Sequence, residues 1–287
     1  MAKWEGEIFE LGDGSVLVEC GPMRMFIEAS KDGDPRPDMC RQAAHAAMGF
    51  LEQVAQDRPC LQRPAANSEQ PRAGSLAHVM WQAVRLVGDS DLTPMAAVAG
   101  TLADATADFL DERGMTRVVV NNGGDLAIRL KRGERISIGI RPDVRRSEVS
   151  HRIVLTEEMR IGGVATSGLG GRSLTRGISS AATTFARDAA RADAAATALG
   201  NATYVPNAFV TRASAESLDP DTDLKGLDVT ISVGELSDEV IERALDQGLL
   251  RAEQLVGLDV ISGAVIYVKD RMISTAGFAK YIEVLGK

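Results

Sequence analysis

The stretch Ala192-Asp193-Ala194-Ala195-Ala196-Thr197-Ala198-Leu199 is the part of this sequence that says most about the fold. It lies in a helical pattern over residues 186–199, which Gly200-Asn201 ends. Asp193 and Thr197 are four residues apart, so a helix directs both of their oxygen atoms the same way. The alanines let another backbone approach closely, and two hard oxygens with a main-chain carbonyl suit Mg²⁺. An ordinary surface pair on an alanine-rich helix is the alternative, and spacing alone leaves both open.

A second informative segment, Asn121-Asn122-Gly123-Gly124-Asp125, follows an apolar β-type run. Its two glycines permit positive φ angles and leave backbone amides open to a ligand. A turn of this kind at the end of a strand can hold a phosphate or a heterocycle. The alternative is a plain hairpin turn.

The third segment is Val164-Ala165-Thr166-Ser167-Gly168-Leu169-Gly170-Gly171-Arg172, and Arg176 follows shortly after it. It offers hydroxyls, exposed amides and a cation in one loop, a combination that can bind a diphosphate. It contains no Gly-Lys-Ser/Thr of a Walker A loop, and it lacks the strand, loop and helix of a dinucleotide fingerprint.

The remaining pattern indicates an α+β fold whose middle is rich in β-structure. A β-hairpin is expected over residues 14–28, and helices over residues 76–87, 96–110 and 237–248. The pattern is mostly β from residue 116 to residue 166. At 287 residues, one domain or two closely packed lobes are both open. Residues 57–75 hold Pro59, Pro64 and Pro71, which predicts a mobile loop.

Composition narrows the classes of partner. Forty acidic residues against 32 basic ones give a formal charge of −8, which disfavours nucleic acid. No segment stays apolar for about 18 residues, so no membrane association is expected. The N-terminus carries acidic residues where a secretory signal needs an apolar stretch, which predicts a cytoplasmic protein. Composition and patterning leave the oligomeric state open.

Taken together and in order, these segments resemble the ApbE-like flavin transferases. Family patterns for an alanine helix, a Gly-Gly turn, a Gly-Ile strand, a Thr-Ser-Gly loop and an Asp-Thr helix occur in the same sequence order. They correspond to Ala96-Ala97-Val98-Ala99-Gly100-Thr101-Leu102-Ala103, Val120-Asn121-Asn122-Gly123-Gly124-Asp125, Ser137-Ile138-Gly139-Ile140-Arg141-Pro142, Ala165-Thr166-Ser167-Gly168 and the opening stretch. The resemblance covers roughly residues 76–202, and it implies a mixed, largely antiparallel sheet with packed helices.

The resemblance implies a magnesium site and a flavin site. Magnesium would be held by Asp193, Thr197 and a backbone carbonyl near Ala97. A flavin nucleotide such as FAD would contact the Gly-Gly turn and the Thr-Ser-Gly loop, with Arg172 or Arg176 offsetting the charge of the diphosphate. The implied contact residues are Asn122, Gly123, Gly124, Thr166, Ser167 and Gly168.

Two departures from the family pattern keep the activity open. Gly100 replaces the lysine of the alanine helix, and the His-x-x-Asp-Pro-x-x-Gly segment expected after the Thr-Ser-Gly loop is missing. One hypothesis is an enzyme, either a magnesium-dependent FMN transferase or an FAD diphosphate hydrolase. The other is a non-catalytic module that binds a flavin or another small nucleotide and has lost the transfer chemistry. Kinship of fold does not decide between them.

Overall fold

The computed structural model describes residues 4–143, 148–171 and 173–285. Within these ranges the chain forms the expected α+β architecture, built around a large antiparallel sheet with helices on one face and a small sheet on the other. The helices cover the face that carries most of the buried aliphatic side chains.

The large sheet has ten strands, and every neighbouring pair in it is antiparallel. In spatial order the strands are β1 (Gly6–Glu10), β2 (Val16–Cys20), β3 (Met23–Lys31), β5 (Arg117–Asn122), β6 (Asp125–Leu130), β9 (Gly163–Ser167), β10 (Ala181–Ala186), β13 (Gly263–Val268) and β14 (Arg271–Ser274). The short β4 (Asp34–Pro35) pairs with the end of β3. The prediction of a largely antiparallel sheet is confirmed.

Two smaller units complete the β-structure. The small sheet has the spatial order β15 (Glu283–Val284), β8 (His151–Thr156) and β7 (Arg135–Ile140). It covers a second apolar cluster on the face of the large sheet that the helices leave free. A separate hairpin joins β11 (Val210–Ser214) to β12 (Asp228–Val233).

Six α-helices accompany the sheets in the described part of the chain: α1 (Pro37–Leu61), α2 (Leu76–Val87), α3 (Val98–Asp111), α4 (Ala189–Ala202), α5 (Ala215–Leu218) and α6 (Asp238–Gly257). The close contact between α3 and α4 depends on glycine. A Cβ atom added at Gly100 would lie 2.1 Å from the carbonyl oxygen of Ala189, and one added at Gly163 would lie 2.2 Å from that of Asp188. The start of α4 therefore packs against bare backbone on both sides.

Two predicted boundaries differ from the structure, and buried contacts explain both. Residues 57–61 belong to α1 and not to a loop, because Leu61 is fully buried, and Ala65 is buried in a short 3₁₀ turn that follows. Helix α6 continues nine residues past Gly248 to Gly257. Gly248 does not end the helix but lies buried inside it. Glycine stands there because an added Cβ atom would lie only 2.9 Å from the side chain of Ile266.

Candidate functional site

A cleft of about 1530 Å³ opens where the turn between β5 and β6 meets the end of β9 and one side of α4. Its wall contains residues from all three segments that the sequence singles out. They are Asn122, Gly123, Gly124, Thr166, Ser167, Gly168, Asp193 and Thr197. The topology brings them together because β6 and β9 are neighbours in the sheet although 32 residues separate their ends in sequence.

The Gly-Gly segment is a two-residue hairpin turn and also part of the cleft wall. Asn122 pairs with Asp125 across the turn, and Gly123 and Gly124 have φ angles of +72° and +118°. The Gly124 N–H donates to Oδ1 of Asn121 over 2.9 Å. Nδ2 of the buried Asn122 donates to the carbonyl of Ala99 over 3.2 Å. The turn is therefore anchored to α3.

The end of β9 is fixed by the neighbouring strand β10. Oγ1 of Thr166 lies 2.9 Å from Oγ1 of Thr183, its partner in the strand pair. Gly168 follows with a φ of +156°, and an added Cβ atom would lie 2.8 Å from the carbonyl oxygen of Ser180. A side chain at this position would therefore collide with the backbone that leads into β10.

Two carboxylates, Asp125 and Asp193, share the wall of the cleft. Oδ2 of Asp193 accepts a hydrogen bond from the Gly100 N–H over 2.9 Å. Burial raises the pKa of Asp125 to about 7, against the opposing effect of the Thr166 N–H. Burial and then the charge of Asp125 raise the pKa of Asp193, against the N–H groups of Gly100 and Ala99. Both groups are therefore costly to ionise without a cation nearby.

The chemistry of these donors fits a magnesium ion that a ligand helps to coordinate. Mg²⁺ usually takes one or two carboxylates and completes its shell with waters and phosphate oxygens. Asp193 and Asp125 provide carboxylate oxygens, and the Thr197 hydroxyl lies one helical turn from Asp193. In the described residues neither carboxylate has a salt bridge, and no group of three or more His, Cys, Asp or Glu side chains suits a metal. The protein alone therefore supplies few ligands.

The other predicted site residues have different positions. Ala97 is buried in the 3₁₀ turn before α3 and is not on the cleft wall, which its neighbours Ala96 and Ala99 do line. Arg176 also lies off the wall: its guanidinium pairs with Asp91. Arg172 lies outside the described residues.

Sequence reasoning missed Asp125 and Thr183. Asp125 belongs to the Gly-Gly segment, but the glycines of that segment draw attention to its backbone amides and not to this carboxylate. Its signal is its position directly after a two-residue turn, which places it beside the residue before the turn. Thr183 gave no signal, since only the pairing of β9 with β10 brings it to Thr166.

The fold is that of the ApbE proteins among the solved structures. The structure is similar to the apo form of the flavinyl transferase ApbE from Pseudomonas stutzeri, with a TM-score of 0.50, 15% sequence identity and coverage of 97% of each chain. It is also similar to the ApbE protein of Thermotoga maritima, with a TM-score of 0.50, 13% identity and coverage of 97% and 99%. At these identities the likeness concerns the fold.

The family model described as AbpE bacteria matches residues 7–275, so the chain belongs to that family. It is 38% identical over 128 residues to a UPF0280 protein of Archaeoglobus fulgidus, which is 45% of this chain and 50% of that protein. It is 36% identical over 182 residues to a UPF0280 protein of Methanothrix thermoacetophila, 61% and 69% of the two chains. The chain thus spans about half the length of the first relatives it matches. None of the helices in the described ranges is long and apolar enough to cross a membrane.

Proposed function

We propose that this protein binds a flavin dinucleotide such as FAD, together with Mg²⁺, in the cleft between the Gly-Gly turn and α4. The observation that carries the proposal is that one cavity contains the Gly-Gly turn, the Thr-Ser-Gly segment and the Asp193–Thr197 pair. At about 1530 Å³ the cavity has room for a dinucleotide. The choice of a flavin is supported by proteins of this fold that are flavin transferases.

Each part of the wall has a separate role in this proposal. Asp193 and Thr197 hold the metal through oxygen atoms on one side of α4, and Asp125 adds a second negative charge beside them. Gly123 and Gly124 keep side chains away from the ligand, and Gly168 lets the end of β9 lie against the backbone before β10. Bound Mg²⁺ would offset the negative charge of the diphosphate.

Cleavage of FAD, by hydrolysis or by transfer of FMN, is the second candidate function. The observation that favours it is Asp125, a carboxylate that faces the cleft without an ion pair in the described part of the chain, because such a group can accept a proton. Release of FMN from FAD, with and without Mg²⁺, distinguishes catalysis from binding alone.

The binding proposal is tested by the coupling between metal and nucleotide. Mg²⁺ should strengthen FAD binding to the wild-type protein, and FAD should strengthen Mg²⁺ binding by the same factor, about tenfold or more. Asp193→Asn keeps the side-chain volume and an acceptor for the Gly100 N–H but loses the charge, so this coupling should disappear. Isothermal titration calorimetry measures both affinities.

The matched control is Asp246→Asn, which removes one negative charge from an exposed position on α6. This variant should retain the wild-type coupling. If Asp193→Asn and the wild type show the same magnesium dependence, Asp193 only caps the N–H of Gly100 and the metal site is wrong. If neither protein binds FAD, the choice of ligand is wrong.

A further inference from the structure

One strand edge borders the cleft and is not used by the proposed nucleotide site. Strand β7 is the last strand of the small sheet, and in the described ranges it pairs only with β8. The six consecutive residues 136–141 all line the cleft. A strand that turns one face to a cavity contributes alternate residues, so an unbroken run means that its edge faces the cavity.

The polar backbone groups on this edge can be assigned by residue. The carbonyl of Ile140 accepts a hydrogen bond from the Ser150 N–H, so Ile140 directs its backbone groups toward β8. Because N–H and C=O groups alternate sides along an antiparallel strand, Ser137 and Gly139 direct theirs away from β8. Both residues are exposed.

Between its charged ends, this edge lacks several of the features that usually prevent strand addition. Natural edge strands carry proline, an inward charge or a bulge. The segment Ile136-Ser137-Ile138-Gly139-Ile140 contains no proline and no charge, and it pairs with β8 in regular register without a bulge. Its position in a cleft limits access to a narrow, extended partner.

The charges at the two ends of β7 indicate what kind of partner would bind there. Arg135 begins β7 and Arg141 follows its end, and both side chains are exposed. Within the described residues neither guanidinium has a hydrogen bond or a salt bridge. The protein as a whole carries −8, so two unpaired cations at the ends of one free strand edge favour an acidic partner.

The geometry points to β7 as the docking site for an acidic, extended polypeptide segment, which adds to the small sheet as a further strand. Its main chain pairs with the backbone of Ser137 and Gly139, and its acidic side chains meet Arg135 and Arg141. Such a segment of about six residues spans roughly 20 Å. Strand addition of this kind gives affinity through the main chain and selectivity through the side chains.

The test uses a fluorescent peptide of about eight residues in which Asp and Glu alternate with Val and Thr. No nucleotide or magnesium is added, so the result is independent of the proposed flavin function. We expect saturable binding by anisotropy that weakens with salt, and slower amide hydrogen exchange at Ser137 and Gly139. The same peptide with alternate amides N-methylated should bind at least about tenfold more weakly.

Two variants of the protein test the two parts of the inference. Ser137→Pro removes an outward N–H without removing a bond to β8, and Arg141→Glu reverses a flanking charge. Each should weaken peptide binding by about tenfold or more. Arg243→Glu, at an exposed position on α6 outside the cleft, should bind as the wild type does. Circular dichroism checks that Ser137→Pro is folded, and Arg141→Glu tests the site without altering the strand.

Several outcomes would overturn the inference. Equal affinity for the methylated peptide would exclude main-chain pairing, and equal binding by a basic peptide of matched length would exclude the charge selection. No binding at millimolar concentrations of the acidic peptide would exclude the site. A concentration-dependent dimer in sedimentation that Ser137→Pro abolishes would assign the edge to a second copy of this chain. If the protein binds FAD but not the peptide, only this inference is wrong. If it binds the peptide but not FAD, only the proposed flavin function is wrong.

Discussion

At the scale of single residues, Asp104 joins three elements at one carboxylate. Its Oδ1 accepts from Nη2 of Arg129 on β6 over 3.0 Å, and its Oδ2 accepts from the N–H of Ala190 on α4 over 2.9 Å. Asp104 is 6% exposed. Burial raises its pKa to about 6, although Arg129 and the backbone N–H groups of α4 oppose the rise. This buried group therefore affects how stability depends on pH.

The sign of that dependence follows from the protons bound in each state. Between pH 4 and pH 6 the folded protein binds more protons at Asp104 than the unfolded chain, so the free energy of unfolding falls as pH rises. A difference of about two units between the pKa of Asp104 in the folded and the unfolded protein changes the free energy of unfolding by about 3 kcal/mol. Asp104→Asn should reduce this fall in urea unfolding measured at pH 4 and pH 7. Asp108→Asn, which changes the exposed second partner of Arg129, should keep it. Equal slopes in all three proteins would contradict the prediction.

A second residue-scale prediction uses two glycines with similar surroundings. Gly124 and Gly133 both have positive φ, of +118° and +89°, and in both cases an added Cβ atom would meet nothing within 4 Å. Valine is strained at a positive φ, so Gly124→Val and Gly133→Val should each lower the free energy of unfolding by about 1–3 kcal/mol. Only Gly124 lines the cleft. FAD affinity measured by calorimetry should fall by about tenfold or more in Gly124→Val alone. A matching loss in Gly133→Val would indicate a global effect of strain.

At the scale of elements, the contact between α3 and α4 explains why glycine stands at position 100, where the resemblance leads one to expect lysine. The position of Gly100 faces the backbone of Ala189 so closely that no side chain fits. The N–H of Gly100 also donates a hydrogen bond to Oδ2 of Asp193. Packing therefore explains why glycine stands at position 100, and the glycine is not in itself a sign that the transfer chemistry has been lost.

Gly100→Ala tests this contact against a neutral glycine. The added methyl group would lie 2.1 Å from the Ala189 carbonyl oxygen, and overpacking of this kind costs about 1–3 kcal/mol. Gly49, inside α1, has nothing within 4 Å of an added Cβ atom. Gly49→Ala should raise the free energy of unfolding by about 0.5–1 kcal/mol. Urea unfolding measures both changes, and a Gly100→Ala variant as stable as Gly49→Ala would show that the helices separate without cost.

The sequence predicts elements well where local chemistry sets their ends. Helix α2 has the predicted bounds because Ser75 caps its first turn and Gly88 ends it at a φ of +88°. Prediction is wrong where tertiary packing decides, as at Gly248 within α6. Strands β1, β10, β11, β14 and β15 were not predicted, since the pairing of these strands depends on partners that local patterns do not reveal.

At the scale of the whole molecule, the order of strands explains why the sequence indicates residues of the cleft but not how the cleft is built. The motif order predicted that the Gly-Gly turn and the Thr-Ser-Gly segment would share a cleft, and both line the same cavity. The neighbouring wall from β7 could not be foreseen, because β7 lies outside the large sheet and pairs with β8, whose other neighbour is the distant β15. Contacts of this range depend on the complete chain.

The last prediction concerns whether the chain is one folding unit. Strand β13 pairs with β10 over five residue pairs, and α6 packs on β13 and α4. Oγ1 of Thr203 also accepts from the N–H groups of Ile178 and Ser179. A chain that ends at residue 202 would lose these contacts and leave the buried strand β10 with a bare edge, so we expect it not to fold.

The control for this truncation is a chain that ends at residue 282, which loses β15 and keeps β13 and α6. Only two residue pairs join β15 to β8, and Val284 is 74% exposed, so this shorter chain should stay folded. Circular dichroism and urea unfolding should then show one cooperative transition for the full chain and for the control, and none for the chain that ends at residue 202. If a fragment of residues 1–202 unfolds cooperatively, the chain consists of two lobes, each with its own core. The buried strand β10 would then keep its structure because other residues of the fragment cover it.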